Sequence, residues 1–536
     1  MSHVATPAPA PLRALPIAPW RVGVFAIGVG VAAAIATPAA TLAVAGALVL
    51  AEVLTRGHAM PVAARVTIVA VAAACAAPWL AALEARDALL LVAALGWAIV
   101  AWRAPHAALI VFLVAAPLHT LVLSLVEGRW RLDPGALGYW KELGLAVLAA
   151  RVAAEPAARS GWNAPRRLSA PLVWGALGLA WIGAVSARAL LRHQVGVGLA
   201  VRGWAADLGP FVLLAIAFGA ARARLVGSRP IRAVIVGLGA ALAVFGFVQL
   251  VAIGPRWYAE VGYGGPRDFK VPGYAHYRLT STFLDPLPAG LFLAVAALVA
   301  LDGLLAAAAL GRASRRRRVW LACACAVSIA ASLASFTRSA WIGLALGVVV
   351  IAAARWHEPG VRWALAVVLV AAGLVVLPLL PRLAAWTRDT ATGAATDTSS
   401  PRHWEAWLRG AQGIADHPLG LGPGRAGEVS VRVLGANGIV TESSYLQFGV
   451  EYGVPGAALL VGFVVSVGRA LARAGRPGAS GARRADSLAA WCALAVAGLF
   501  LHALTERPVA YPVMVLVGLT LAAAPGAGRL RAAANS

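Results

Sequence analysis

Charge is the scarcest commodity in this chain. Only 13% of its 536 residues are charged, whereas 61% are hydrophobic, and the mean hydropathy is +0.79. A soluble domain carries about a quarter charged residues and roughly half apolar ones, so a water-soluble globular protein is excluded. Acids are scarcer still, with 22 Asp and Glu against 46 Lys and Arg. In a soluble protein the net charge of +24 would suggest nucleic acid; here most of the arginine lies in short loops between apolar runs, as the positive-inside rule requires. Nucleic acid is therefore not an expected partner. The four cysteines, Cys75, Cys323, Cys325 and Cys492, all lie inside apolar runs. Cys323 and Cys325 are two apart and would point to different faces of a helix, so neither a disulfide framework nor a metal cluster is supported. Short alternating strands are lacking too, which excludes a transmembrane β-barrel. No internal repeat stands out, and no cleavable signal is needed, since the first membrane helix can target the chain.

What is present is a succession of apolar runs. They lie near 20–36, 38–54, 66–82, 88–102, 107–126, 137–150, 169–187, 204–221 and 230–254, then near 285–310, 318–336, 340–355, 362–380, 443–468, 488–504 and 508–525. Their lengths predict an all-α polytopic integral membrane protein of roughly 12–16 transmembrane helices. "GRASRRRR" (311–318) and "RALARAGRPGASGARRAD" (469–486) mark the cytoplasmic side, as do the arginines at 151–167 and 222–232. Alternation from these anchors places both termini in the cytoplasm. It leaves 188–203, 255–284, the turn 337–339 and the long loop 381–442 outside. The organisation expected is a disordered cytoplasmic tail (1–19), an N-terminal transmembrane bundle (20–254), an extracytoplasmic loop (255–284), core helices (285–380), a long extracytoplasmic loop (381–442), C-terminal helices (443–528) and a second cytoplasmic tail (529–536).

Long loops of this kind are usually functional. Within the last one, "SSPRHWEAWLRGAQGIADHPLGLGPG" (399–424) reads as a short amphipathic helix. Ser400 can cap it, Pro401 suits its first turn, and Trp404, Trp407, Leu408, Ala411 and Ile414 recur at helical spacing. The tryptophans suit a membrane interface. Arg402 would lie in the first turn, where free backbone N–H groups and the helix dipole already favour an anion. In "SFTRSAWIG" (335–343), Arg338 sits at the break between two apolar spans, and arginines so placed are functional by default. In "HYRLTSTFLDPLPAG" (276–290), Arg278 and Asp285 flank the mouth of the next span, where a local ion pair is as good a reading as ligand binding. Glu442 opens "TESSYLQFGVEYGVPG" (441–456). An acid at a helix N-terminus has an ordinary use, because it stabilises the dipole. Arg338, Arg402 and Glu442 nevertheless map to one face of the membrane. Two cations and a carboxylate suit a site that holds an anionic phosphate while a hydroxyl loses its proton.

These segments, in order, resemble the O-antigen ligase and polymerase superfamily of polytopic lipid-linked glycan transferases. The resemblance covers about residues 270–470. The family's signature near the last loop is a histidine followed by Asn, Ser or Gln, nine residues, Gly, two residues and a small residue or Tyr. Here Glu442 and Ser443 are followed by nine residues, then Gly453, two residues and Gly456, with glutamate where histidine is expected. The resemblance implies an inverting, metal-independent glycosyltransferase with no cofactor. Its donor would be a glycan linked to undecaprenyl diphosphate, and its acceptor a hydroxyl on a glycan, lipid or protein. It would work at the outer face of a bacterial cytoplasmic (inner) membrane, as a ligase or a polymerase. Glu442, Arg338 and Arg402 are the expected catalytic residues. Arg278, Asp285, Ser443, Tyr445, Arg425 and His403 are the expected substrate contacts. A lipid-linked glycan flippase or transporter, or a non-catalytic member of the family, are the competing readings.

Overall fold

The computed structural model describes residues 85–131, 139–155, 169–254, 257, 260–261, 277–309, 314–358, 362, 399–435, 438–474 and 485–523. The apolar runs expected at 20–36, 38–54, 66–82 and 362–380 fall almost wholly outside these residues, as do both predicted tails. The described residues are mostly helical, in keeping with the all-α expectation. In chain order the helices are α1 (Ala85–Arg103), α2 (Pro105–Ser124), α3 (Trp140–Ala154), α4 (Ser169–Leu191), α5 (Val197–Arg222), α6 (Ser228–Val248), α7 (Pro286–Ala309), α8 (Arg315–Ala334), α9 (Arg338–Arg355), α10 (Ser399–Asp416), α11 (Gly427–Leu434), α12 (Ser444–Ala474), α13 (Asp486–Ala497) and α14 (Arg507–Ala522). Eight helices among the described residues are long and apolar enough to cross a membrane. The protein is a polytopic membrane protein.

Local chemistry sets the helix boundaries. The Ser314 hydroxyl accepts the Arg317 N–H and so starts α8 ahead of its four arginines. Asp285 accepts the Leu287 N–H, and the prolines at 286 and 288 need no hydrogen-bond partner in the first turn of α7. α7 is the central helix: from Ala289 to Asp302 every residue is buried. α6, α8, α9 and α13 pack around it. Leu172, Val173, Leu177 and Leu179 on α4, Val319 and Trp320 on α8, and Val349 on α9 are all exposed. So much exposed apolar surface on long helices is what lipid contact demands.

The chain reverses at each helix end, so the bundle has two ends. One carries the start of α7, the α8–α9 turn and the start of α12; we call it the Arg338 end. The other carries the end of α7, the end of α9 and the start of α13; we call it the Arg355 end. At the Arg355 end the guanidinium of Arg355 is 2% exposed and bonds Asp302 at 2.7 Å and Glu358 at 2.8 Å. Arg232 there pairs with Asp486 and also reaches Thr520.

Two expectations about helix length differ from the structure. The segment expected outside at 188–203 shrinks to the turn 192–196, because α4 and α5 extend to within a few residues of each other. The run at 488–504 yields a helix of only 12 residues, α13, followed by turns from 498 to 505. The carbonyls released there are used elsewhere, as described next.

Candidate functional site

α12 begins inside the predicted motif, and its N-terminus is fastened to the exit of α13. The Ser444 N–H bonds the carbonyls of Gly498 (2.9 Å) and Leu501 (3.0 Å). The Ser443 hydroxyl donates to Gly498 (3.2 Å) and the Ser444 hydroxyl to Leu501 (3.2 Å), while the Leu504 N–H returns to the Ser444 hydroxyl. At the next residue, the Tyr445 hydroxyl donates to the Ala495 carbonyl at 2.9 Å. Orphan donors at the start of α12 thus meet orphan acceptors at the end of α13. Ser443 and Tyr445, expected as substrate contacts, face these protein carbonyls. Glu442 is the residue left over. Its backbone is left-handed (φ +50°) and its side chain is 28% exposed. Its carboxylate Oε2 contacts Nδ1 of His403, in the first turn of α10.

α10 lies along α12. A Cβ added at Gly410 would stand 3.3 Å from the Thr441 side chain and 3.4 Å from Leu446, and one at Gly413 would stand 3.4 Å from Val450. Ala406 and Gly410 face inward, whereas Trp404 (63% exposed) and Leu408 (52%) face away from the protein. The amphipathic helix expected from the sequence is therefore present, and small residues form its packed face. Arg402 falls in its first turn, next to His403; its side chain lies outside the described residues.

Arg338 is the first residue of α9 and is exposed. The turn before it is pinned from below. Arg278 donates to the Ser335 carbonyl (2.9 Å), the Phe336 carbonyl (3.2 Å) and the Thr337 hydroxyl (3.3 Å). Thr337 in turn donates to the Pro286 carbonyl at 2.9 Å. Phe336 is left-handed at φ +50°. Arg278 therefore holds the backbone that presents Arg338, and Asp285 caps α7 beside it.

Helix register sets Arg338 and the Glu442 segment at one height. α9 packs on antiparallel α13, and a Cβ at Gly343 would lie 3.1 Å from the Ala493 carbonyl oxygen. Arg338 is five residues from that contact along α9, and Gly498 is five residues from it along α13. At 1.5 Å per residue both stand about 7.5 Å above it. Since Gly498 accepts from Ser443 and Ser444, Arg338 and Glu442 are anchored to the same end of α13.

The last element is the motif DHPLGLGPG, which threads into a kink in α12. Gly453 has φ +74°, and Pro455 has no N–H to offer Glu451. The helix therefore loses hydrogen bonds at 450–452. Its freed carbonyls are taken by Leu421 N–H (to Val450, 2.9 Å), Gly422 N–H (to Glu451, 2.8 Å) and the Trp181 indole (to Tyr452, 2.7 Å). The Val454 N–H reaches Pro418 at 2.9 Å. A Cβ at Gly453 would fall 2.3 Å from the Pro418 oxygen, and one at Gly420 would fall 2.4 Å from the Glu451 oxygen. The glycine of the family frame is thus required by close backbone approach.

Several residues here carry no motif. Asp207 of α5 is fully buried and accepts from Gln447 (2.8 Å) and the Tyr452 hydroxyl (2.6 Å). Fully buried Glu451 bonds the Ala426 N–H at 2.9 Å. Arg188 donates to the carbonyls of Leu419 and Gly420, and Arg425 to that of Gln194. Arg425, expected as a substrate contact, thereby ties the loop to the α4–α5 turn. Near the start of α14, Arg507 pairs with Glu142 at 2.9 Å. Beside it, burial pushes the Glu506 carboxyl up to about 8, with Glu428 and Asp285 adding like-charge repulsion. The intramembrane acid within α5 and the acid nine residues after Glu442 were the available signals.

A family model described as O-antigen ligase matches residues 323–461, about a quarter of the chain. That span runs from α8 into α12 and contains Arg338, Arg402, His403 and Glu442. No curated protein matches the chain. Over residues 323–461 the chain is thus similar to the O-antigen ligase family.

Proposed function

We propose that the protein transfers a glycan from undecaprenyl diphosphate to a hydroxyl acceptor at the outer face of the cytoplasmic membrane. Lipid-linked glycan transfer in general follows from the family; the donor, the residues and their roles are our reading. The acceptor oxygen attacks the anomeric carbon, the bond from that carbon to the diphosphate oxygen breaks, and the configuration inverts. Arg338 and Arg402 neutralise the charge that collects on the departing diphosphate, as arginine clamps do for phosphoryl groups. Glu442 supplies the acid–base function that removes the acceptor proton. The Arg338 end faces outward, because the arginine-rich segments 311–318 and 469–486 adjoin the opposite end.

The observation that carries this reading is the shared anchoring of Arg338 and Glu442 to the end of α13. Loop charge alone had already put both on one face; the helix register independently puts them at one height. The test is surface polysaccharide made by a deletion strain carrying Arg338→Ala, Arg402→Ala or Glu442→Gln. Loss of one fixed donor to developing negative charge costs about 10²–10³ in rate, so attachment or chain extension should fall at least that far in each arginine variant. Wild-type polysaccharide in both arginine variants, with the protein present in the membrane, would refute the site.

A further inference from the structure

The Arg338 end carries a second polar cluster, which the site proposed above leaves unused. Its frame is the ion pair between Arg507, the first residue of α14, and Glu142, in the first turn of α3. Beside it, Lys141 is only 4% exposed and makes no hydrogen bond or ion pair among the described residues. A lysine ammonium has three donors, and buried polar groups are as a rule hydrogen-bonded. Two more buried atoms of the cluster have no hydrogen-bond partner, Oε2 of Glu142 and the hydroxyl of Tyr511. Tyr511 lies one turn along α14 from Arg507, on the same face. Burial pushes the Glu506 carboxyl up to about 8, so near neutral pH Glu142 is the acid that answers both cations. Arg432 and Glu428 of α11, within electrostatic reach, pair with each other. A buried ammonium beside a guanidinium needs a second anion to stay charged. Aromatic rings adjoin these groups. Phe112 of α2 lies 5.2 Å from the half-buried Trp140 and 5.9 Å from Tyr511, and the Trp140 indole bonds Nδ1 of His119 at 3.3 Å. A few polar groups set against aromatic walls are what a small-molecule site requires.

We propose that this cluster is an acceptor subsite for a sugar that bears a carboxylate or phosphate. The proposal rests on the transfer reaction proposed above and names the chemical class of its acceptor. Lys141 and Arg507 hold the anion through charge-assisted hydrogen bonds. Glu142 Oε2 accepts from a sugar hydroxyl, and the Tyr511 hydroxyl donates or accepts beside it. Trp140 offers an apolar face to the ring. A neutral sugar would leave the ammonium without its counter-charge, so the cluster selects as well as binds. Its position suits the reaction. α7 and α13 each pack against both α9 and α14, and so stand between them. Arg338 on α9 and Arg507 on α14 therefore flank the exit of α13, where Glu442 is anchored. An inverting displacement needs nucleophile and leaving group on opposite sides of the anomeric carbon. With the diphosphate at Arg338, the acceptor enters from the α14 side.

The experiment measures binding of D-glucuronate, D-glucose 6-phosphate and D-glucose to the full chain in phosphatidylcholine nanodiscs, by saturation-transfer NMR. One or both acidic sugars should bind about tenfold or more tightly than glucose. Lys141→Met should weaken that binding about 10–100-fold, the worth of a hydrogen bond to a charged group. It should not lower the melting temperature, since an apolar side chain of similar length replaces a buried unpaired charge. Tyr511→Phe keeps the ring and should weaken binding about fivefold, as expected for one neutral hydrogen bond. Arg338→Ala should bind the probes like the wild type, because the donor diphosphate is held elsewhere. Equal binding of glucose, binding of no probe, or wild-type binding in both Lys141→Met and Tyr511→Phe would overturn the subsite. Displacement of the sugar by inorganic phosphate at equal affinity, or by phosphatidylglycerol added to the discs, would give the cluster to a free anion or a lipid headgroup and overturn its acceptor role. The transfer reading falls separately. If a deletion strain keeps its surface glycans while acidic sugars still bind through Lys141, the sugar site stands and its place in transfer fails. If glycans are lost on deletion but no probe binds, only the subsite fails.

Discussion

The two ends of the bundle solve the problem of charge in opposite ways. At the Arg355 end each buried charge is answered by a neighbour at short range: Arg355 by Asp302 and Glu358, Arg232 by Asp486. The helices there are regular up to their last turns. At the Arg338 end the backbone itself is irregular. Ser281, Leu284, Phe336 and Glu442 are all left-handed, and Gly453 breaks α12. Here polar side chains are spent on carbonyls, as with Arg278, Ser443 and Tyr445, while Arg338 and the Glu442–His403 pair retain exposure. One end is built for permanence, and strain and partial exposure are concentrated at the other, where we propose the chemistry to take place.

That contrast can be broken most forcefully at Arg355. Arg355→Ala leaves Asp302 buried without its cation, which costs about 3–5 kcal/mol for a buried pair. The expected result is a large fall in the melting temperature of the solubilised protein. Arg338→Ala, by contrast, should melt like the wild type, and equal losses in both variants would erase the distinction between the ends. A middle-sized effect is expected at the kink. Gly453→Ala forces a side chain into φ +74°, about 1–3 kcal/mol from the backbone conformation alone, and drives its Cβ onto Pro418. It should lower both stability and transfer, since α12 presents Glu442. Unchanged melting would show that the strap from 417 to 426 does not hold the helix.

A third test separates the ends by pH. Glu506, at the Arg338 end, has its carboxyl raised from 4.5 to about 8 in the folded protein. Between those values the folded state holds a proton that the unfolded chain has lost, so stability falls as pH rises across that window. Glu506→Gln removes this loss. Its melting temperature should exceed the wild type's above pH 8, and the two should converge toward pH 4.5. Parallel curves at all pH values would remove Glu506 from the account.

Much of this architecture is legible in the sequence because membrane crossing depends on length and apolar content, which need no tertiary information. The convergence of Arg338 with Glu442 was reachable from loop charge, and α10 from the spacing around Trp404. The fate of Arg278, Ser443, Tyr445 and Arg425 was not. Each is a polar residue beside a predicted site, and only the geometry of opposing helix ends reveals that a backbone carbonyl claims it. Asp207 was passed over for a related reason. A single acid inside an apolar run gives no hint of its partners, and Gln447 and Tyr452 lie some 240 residues away. The contact of His403 with Glu442 was equally hidden, since the two are separated by a loop, a second helix and a turn.

The fastening of Ser443 and Ser444 to Gly498 and Leu501 also orders events in time. The chain is made from its N-terminus, so Arg338, His403 and Glu442 are all synthesised before the carbonyls that hold Glu442 in place. Until α13 is inserted and its exit turn has formed, the carboxylate lacks the contacts that fix its direction, even though every side chain of the proposed site already exists. The proposed site is thus complete only once the late helices are seated. On the proposed mechanism, a nascent or truncated chain would meet its donor without a directed carboxylate.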